Sequence, residues 1–184
     1  MRLSRLTYLI LLCSGPKVTS LKKHKNKIVV IGNDPNGAMY GLFDVIETLR
    51  YSGSLKKVND KLINPALNDR FIKFNLPWMS YRKGEALQVH METCRDTVFW
   101  ESFLDMMALN RFNRLSLWNL HPFSYMVRPE NFPKASPFTD EELADWKKFW
   151  KTLFSMAKQR GIETYIVNWN IFVSPEFTEH YGGA

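Results

Sequence analysis

Asn113-Arg-Leu-Ser-Leu-Trp118, then Thr139-Asp-Glu-Glu142, then Ile162-Glu-Thr-Tyr-Ile-Val-Asn-Trp169: a strand, the start of a helix and a second strand. The middle stretch is a capping box, in which a Thr hydroxyl and a Glu carboxylate each satisfy a free backbone N–H at the helix start. The helix it opens is expected to run to Arg160 and stop at Gly161, the residue that best tolerates a left-handed cap. Working outward, Arg70-Phe-Ile-Lys-Phe-Asn75 reads as an earlier short strand stopped by Pro77. Asp96 opens a helix whose face includes Phe99, Trp100, Phe103, Leu104 and Met107. A βαβαβ series with helical crossovers requires parallel strands and right-handed connections. An open doubly wound sheet and a barrel both satisfy that pattern. The chain has 184 residues, short of the roughly 250 a complete (β/α)8 barrel needs, so a barrel here is incomplete.

Ahead of this region the grammar differs. Lys27-Ile-Val-Val-Ile-Gly32 is a β-branched strand, and Asn33-Asp-Pro-Asn-Gly37 is turn chemistry leading into a helix. Ala38, Met39, Leu42, Val45, Ile46 and Leu49 recur at helical spacing and are expected to bury one face. Residues 51–69 turn polar and irregular and are expected to hold the domain boundary. At the N-terminus, basic Met1-Arg-Leu-Ser-Arg5, apolar Leu6–Cys13 and small Ser14-Gly15 follow the order of a secretory signal; a first β-strand is the alternative. The run is too short for a membrane span of about 20 residues, and two cysteines provide no disulfide framework. A lone Cys94 is expected to be buried or half-buried.

The net charge is +7. Residues 1–60 hold ten basic and four acidic residues and the remainder fifteen and fourteen, so the excess lies in the first third. Lys22-Lys-His-Lys-Asn-Lys27 reads as a solvated hairpin or strand edge. Because the basic excess is separated from the aromatic region and no recognised binding motif occurs, a nucleic-acid partner is disfavoured. Phosphate-loop, dinucleotide, zinc-protease and nucleophile-elbow patterns are missing from the sequence, and its four histidines are far apart. No cofactor and no metal are implied.

In parallel α/β folds the ligand sits at the carboxyl ends of the strands. Those positions here are Asn75-Leu-Pro-Trp-Met-Ser-Tyr-Arg82, Trp118-Asn-Leu-His-Pro-Phe123 and Asn168-Trp-Asn170. Aromatic faces flanked by amides and an imidazole suit a sugar, with its apolar C–H faces and rim of hydroxyls. The alternative for each is a core Trp and a strand-capping Asn. His121 is a substrate hydrogen-bonder or a satisfied loop histidine. Glu85, Glu92, Glu130, Glu176 and Glu179 are expected in loops, with no motif assigning any of them a catalytic role.

Ile28-Val-Val-Ile-Gly-Asn-Asp-Pro-Asn-Gly-Ala-Met-Tyr-Gly-Leu-Phe-Asp-Val-Ile-Glu47 resembles the end of the small α/β domain that precedes the barrel in β-N-acetylhexosaminidases (family 20 glycoside hydrolases) and α-glucuronidases. Asp34, Gly37, Tyr40 and Gly41 match. Arg70–Asn75 resembles the first barrel strand of the hexosaminidases, with Arg70 on a sugar-binding arginine and Asn75 where that family has Asp. Asn113–His121 resembles the second strand, with Trp118 in place of His and His121 in place of Asp. These departures argue against a true hexosaminidase, and the combination of Lys73-Phe-Asn-Leu-Pro77, Leu117-Trp-Asn-Leu-His-Pro-Phe123 and Asn168-Trp-Asn-Ile-Phe172 is more similar to the uncharacterised or α-glucuronidase-like glycosidases of bacterial polysaccharide degradation. The resemblance implies an α/β chain: the end of a small α/β accessory domain followed by the first strands and helices of an incomplete (β/α)8 barrel. Its expected organisation is a signal peptide at 1–15, accessory domain at 16–60, linker at 61–69 and barrel from 70 to 184.

The implied function is the N-terminal portion of a secreted glycoside hydrolase of the hexuronide or hexosaminide class, extracellular or periplasmic. The alternative is a non-catalytic carbohydrate-binding module. The implied partner is a carbohydrate substrate, bound by Arg70, Asn75, Trp118, Asn119, His121, Asn168, Trp169 and Asn170. The catalytic carboxylates are expected after later barrel strands, beyond this chain's third. Arg70 is expected to point into the barrel mouth, a structural ion pair being its alternative. Alone, three strands of an unclosed barrel are expected to self-associate.

Overall fold

The structure, a computed structural model, describes residues 8–12, 19–24, 27–78, 90–91, 93–167 and 173–182. The chain divides into two compact units. One comprises Met1–Arg70 with Ala108–Arg111, and the other Phe71–Met107 with Phe112–Ala184.

The first unit is a four-stranded sheet carrying one helix. Strands β1 (Tyr8–Leu12), β2 (Thr19–His24), β3 (Lys27–Gly32) and β4 (Lys61–Ile63) lie in the order β1-β3-β2-β4. Two residues separate β2 from β3, too few for a crossover, so the pair is antiparallel, whereas β1 pairs with β3 in parallel. The apolar N-terminal run contains β1. The segment expected to be a linker is also partly structured, because β4 within it pairs antiparallel with β2.

Helix α1 (Pro35–Ser52) starts with a proline in its first turn. The Asp34 side chain accepts from the Gly37 N–H at 2.6 Å, and Gly53, at φ 66°, ends the helix. Its buried face differs from the one the apolar spacing predicts. Gly37, Ala38, Gly41, Asp44 and Val45 are buried, whereas Ile46 and Leu49 are 44% and 42% exposed. The reason is the close approach at Gly41, where a Cβ would lie 2.5 Å from Val30 Cγ1 and 2.8 Å from Thr19 Cγ2. The glycine face sits against the sheet, and Ile46 and Leu49 are rotated away from it.

In the second unit β5 (Phe71–Asn75), β6 (Arg114–Trp118) and β7 (Glu163–Val167) form a parallel sheet in that order, with Asn75 opposite Trp118 and Trp118 opposite Val167. Helix α2 (Thr97–Leu109) lies between β5 and β6 in sequence. Helix α3 (Asp140–Gln159) lies between β6 and β7, and its predicted capping box is present on Thr139 and Glu142. Gly161 adopts φ 65° just beyond it. The sheet's two faces separate by alternation. Leu115 and Leu117 are fully buried in the core with Trp100, Leu104, Met107, Phe149, Trp150 and Leu153. Each such side chain stabilises by roughly 1.5–3 kcal/mol and the cap by about 1 kcal/mol, so packing of the apolar faces dominates. Cys94 is fully buried, and burial pushes its thiol up to about 12. This unit is the opening of a (β/α) barrel, and the chain is α/β throughout.

Candidate functional site

The other face of the parallel sheet is polar. Phe71, Arg114 and Glu163 form its amino-end layer; Lys73, Ser116 and Tyr165 follow; Asn75, Trp118 and Val167 form the carboxyl-end layer. At the amino end the Arg114 guanidinium pairs with Glu163, whose carboxylate also accepts from the Tyr165 hydroxyl at 3.1 Å. That carboxylate is held away from the carboxyl rim.

At the rim, Lys73 Nζ lies 4.0 Å from the centroid of the Trp118 ring, a cation–π contact worth about 0.5–1 kcal/mol at an exposed site. Asn75 is exposed, its carbonyl is hydrogen-bonded with His90 Nε2 at 3.0 Å, and its side-chain amide has no partner among the described residues. A cation, an aromatic face and an exposed amide therefore share one end of two neighbouring strands. Lys73 is absent from the sequence-derived site, yet alternation finds it, because it is two residues before Asn75 and so on the same face.

Asn119, expected to contact substrate, is instead 3% exposed and already occupied. Its Nδ2 donates to the Trp78 carbonyl, its Oδ1 accepts from the His121 N–H at 2.9 Å, and its backbone N–H donates to Val167 at 3.3 Å. It fastens the loop after β5 to the loop after β6 and holds His121 in place. Trp78, part of the first aromatic loop, is core: its ring lies 5.5 Å from Tyr125 and 4.6 Å from Trp146.

Arg70 differs from expectation in the same way. It precedes β5 and so belongs to the amino end of that strand, whereas the expected sugar site lies at the carboxyl end. Its Nε donates to the Arg111 carbonyl at 2.6 Å and one terminal nitrogen to the Leu67 carbonyl at 2.5 Å. Its guanidinium carbon stands 5.8 Å from the Tyr40 ring centroid. The Tyr40 hydroxyl makes no hydrogen bond of ordinary geometry; burial raises its pKa and the nearby Arg70 charge opposes that rise. Arg111, at φ 64°, is in the left-handed region and also pairs with buried Asp44. Arg70 is thus a clamp on a strained turn.

His121 is half-buried. Burial lowers its pKa and the Glu176 charge opposes that shift. The same carboxylate acts on Tyr125, which burial pushes up to about 12. Glu176 lies in the first turn of helix α4 (Pro175–Tyr181). Glu130 and Glu179 are exposed. Asn168, Trp169, Asn170, Glu85 and Glu92 lie outside the described residues. Among the described residues, no cluster of three His, Cys, Asp or Glu side chains fits a metal ion, and no helix is long and apolar enough to cross a membrane.

No protein-family model and no curated protein matches the sequence. Solved structures do. A GH138 enzyme targeting pectin rhamnogalacturonan II matches over 90% of this chain at 29% identity and TM-score 0.79. A GH89 enzyme from Clostridium perfringens, in complex with its substrate GlcNAc-α-1,4-galactose, matches over 94% at 16% identity and TM-score 0.59. A β-hexosaminidase from Streptomyces plicatus, in complex with the product GlcNAc, matches over 86% at 12% identity and TM-score 0.54. The last two are likenesses of fold. All three are glycoside hydrolases, and this chain spans 20%, 23% and 33% of their respective lengths.

Proposed function

We propose that this chain forms the opening portion of a glycoside hydrolase and supplies part of its substrate site from the carboxyl rim of the parallel sheet, the substrate being a hexuronide. The observation that carries the reading is the Lys73 ammonium over Trp118 at the end of the strand that carries Asn75, whose side-chain amide has no partner among the described residues. Trp118 offers a surface for a sugar's C–H face, Asn75 hydrogen-bonds hydroxyls, and Lys73 supplies the positive charge that distinguishes a uronate from a neutral hexosaminide. The likeness to an enzyme targeting pectin rhamnogalacturonan II supports an acidic polysaccharide substrate.

Hydrolysis of a glycosidic bond uses a pair of carboxyl groups in most such enzymes. In this proposal that pair comes from later strands of the barrel, and the present residues bind and orient. Location outside the cytoplasm belongs to the same proposal. N-terminal sequencing of the native protein tests it: a start near Pro16, which would leave a mature sheet without β1, supports export, and an intact Met1 refutes it.

The substrate reading is tested by comparing methyl α-D-galactopyranosiduronate with methyl β-N-acetylglucosaminide in ligand-observed NMR on the protein carrying this chain. The uronide should bind more tightly. Lys73→Ala should weaken it about tenfold, the order expected for a charge-assisted contact, and leave the neutral sugar unchanged. Equal binding of the two sugars, or no effect of Lys73→Ala, would refute the uronide assignment.

A further inference from the structure

Six lysines of the first unit gather at one end of its sheet. Lys22 and Lys23 lie near the end of β2, Lys27 opens β3, Lys61 opens β4, and Lys56 and Lys57 belong to one turn of 3-10 helix, Leu55–Lys57. Antiparallel pairing brings those strand ends together, because β2 lies between β3 and β4 with His24 opposite Lys27 and Leu21 opposite Lys61. Two hydrogen bonds fix the turn region against β2. Lys23 Nζ donates to the Lys56 carbonyl and the Lys23 N–H donates to Asp60 Oδ1, each at 2.7 Å. Lys22 is two residues from His24, the strand partner of Lys27, so alternation puts Lys22 and Lys27 on one face, about 7–8 Å apart as diagonal neighbours.

All six are exposed. Carboxylates of the same unit do little to neutralise them. Asp60 Oδ1 is occupied by the Lys23 backbone N–H, and Asp44, 4.0 Å from Lys61 Nζ, is buried and already paired with Arg111. Lys22, Lys27, Lys56 and Lys57 have no ion pair among the described residues. Charges of one sign held this close repel one another and oppose the compact state, and a bound anion would remove that repulsion.

We propose that this end of the sheet docks an acidic polysaccharide chain, a polyuronide, on a surface that shares no residue with the Lys73 rim. The inference rests on the uronide reading of the substrate and adds a second place on this chain where the polymer is held. The kind of cation and its spread both select a chain of spaced carboxylates. Lysine ammoniums are compact point charges, without the planar fork by which Arg grips the paired oxygens of one anion. They are distributed over three strand ends and a turn, with about 4.8 Å between neighbouring strands, so a small anion meets one or two of them. A repeating polyanion meets several, and each further contact forms at high effective concentration. A nucleic acid is the less suited polyanion, because the sequence holds no recognised motif for binding one.

The test uses the protein carrying this chain in biolayer interferometry on immobilised polygalacturonate, with the fully methyl-esterified polymer as the uncharged control. Polygalacturonate should be held about tenfold more tightly than its ester, and raising NaCl from about 50 to 200 mM should weaken it about tenfold by screening and counterion release. The combined variant Lys22→Gln, Lys27→Gln, Lys56→Gln, Lys57→Gln spares Lys23 and Lys61, whose ammoniums reach the Lys56 carbonyl and Asp44. It should lose about tenfold in polymer affinity, with Tm unchanged or raised by relief of repulsion. Binding of monomeric methyl α-D-galactopyranosiduronate, which depends on Lys73, should stay as in wild type.

Equal retention on the charged and esterified polymers, or unchanged polymer affinity in the combined variant, would overturn the proposal. Double-stranded DNA held as tightly as polygalacturonate at the same salt, through the same lysines, would overturn it too and reassign the surface to nucleic acid. Polymer binding that needs Lys73 and not these lysines would leave the rim reading standing and remove only this one. Polymer binding lost in the combined variant, with no binding of the monomeric uronide in wild type, would uphold this surface and remove the rim reading.

Discussion

Asn119→Ala separates a positioning residue from a direct sugar ligand. The wild-type amide is buried and makes two side-chain hydrogen bonds, to the Trp78 carbonyl and from the His121 N–H. Truncation leaves both groups without that partner. Trp78 is 3% exposed, so its carbonyl bears most of the desolvation penalty, about 1–3 kcal/mol; half-buried His121 can recruit water and loses about 1 kcal/mol. The sum is about 2–4 kcal/mol, and at roughly 2–4 °C per kcal/mol for a chain of this size it lowers Tm by about 5–15 °C. Tryptophan fluorescence is a suitable readout, because Trp78, Trp146 and Trp150 are buried together in the same unit. Asn119→Asp sharpens the test. It keeps an acceptor for His121 but turns an oxygen toward the Trp78 carbonyl, so it should be no more stable than the alanine variant, although a carboxylate would serve well as a direct acceptor of sugar hydroxyls. A Tm within 2 °C of wild type (below the roughly 5 °C expected) together with lost sugar binding would refute the positioning role and restore direct contact.

Gly41→Val drives methyl groups into Val30 and Thr19 and should destabilise the first unit by about 1–3 kcal/mol, the usual cost of overpacking; an unchanged urea midpoint would contradict the close helix–sheet approach. Arg70→Lys loses the fork that reaches the Arg111 and Leu67 carbonyls, so Tm should fall several degrees while kcat/KM per folded molecule is unchanged. The reverse pattern would return Arg70 to the substrate site. The His121 ring should titrate below its ordinary value of about 6.5 by NMR. Since its folded pKa is the lower one, its contribution to stability is full above the unfolded pKa and is lost as pH falls below it; Glu176→Gln should move the midpoint further down, and a midpoint at or above 6.5 refutes the burial effect. Alone, the 184-residue chain should self-associate in light scattering through the edges of a three-stranded parallel sheet, and a monodisperse, cooperatively melting monomer would show that the chain closes its own fold.

The strands and helix ends are legible in the sequence because their causes are local. Thr139 and Glu142 need only each other and the backbone between them. The α1 face is less legible, because Ile46 and Leu49 satisfy helical spacing as well as Val45 does. What removes them from the sheet is the nearness allowed by Gly37 and Gly41, and that depends on Val30 and Thr19 across the unit. Apolar spacing registers side chains that are present, so a face selected by missing side chains escapes it.

A related limit governs the site. Within β5 the period of two is enforced by the backbone, so Lys73 and Asn75 must share a face once the strand is assigned. Past the last strand residue no period operates. Trp78 and Asn119 have the residue types of a sugar site and occur just after strands, yet their direction is set by contacts that no spacing encodes: Trp78 enters the aromatic core, and Asn119 spends its amide on two backbone groups. His121 follows Asn119 by two residues and owes its backbone position to that amide, and its own ring has no hydrogen-bond partner among the described residues. The loop therefore divides its polar residues between holding and contacting, and a buried amide with both ends occupied belongs to the first class whatever its place on the rim.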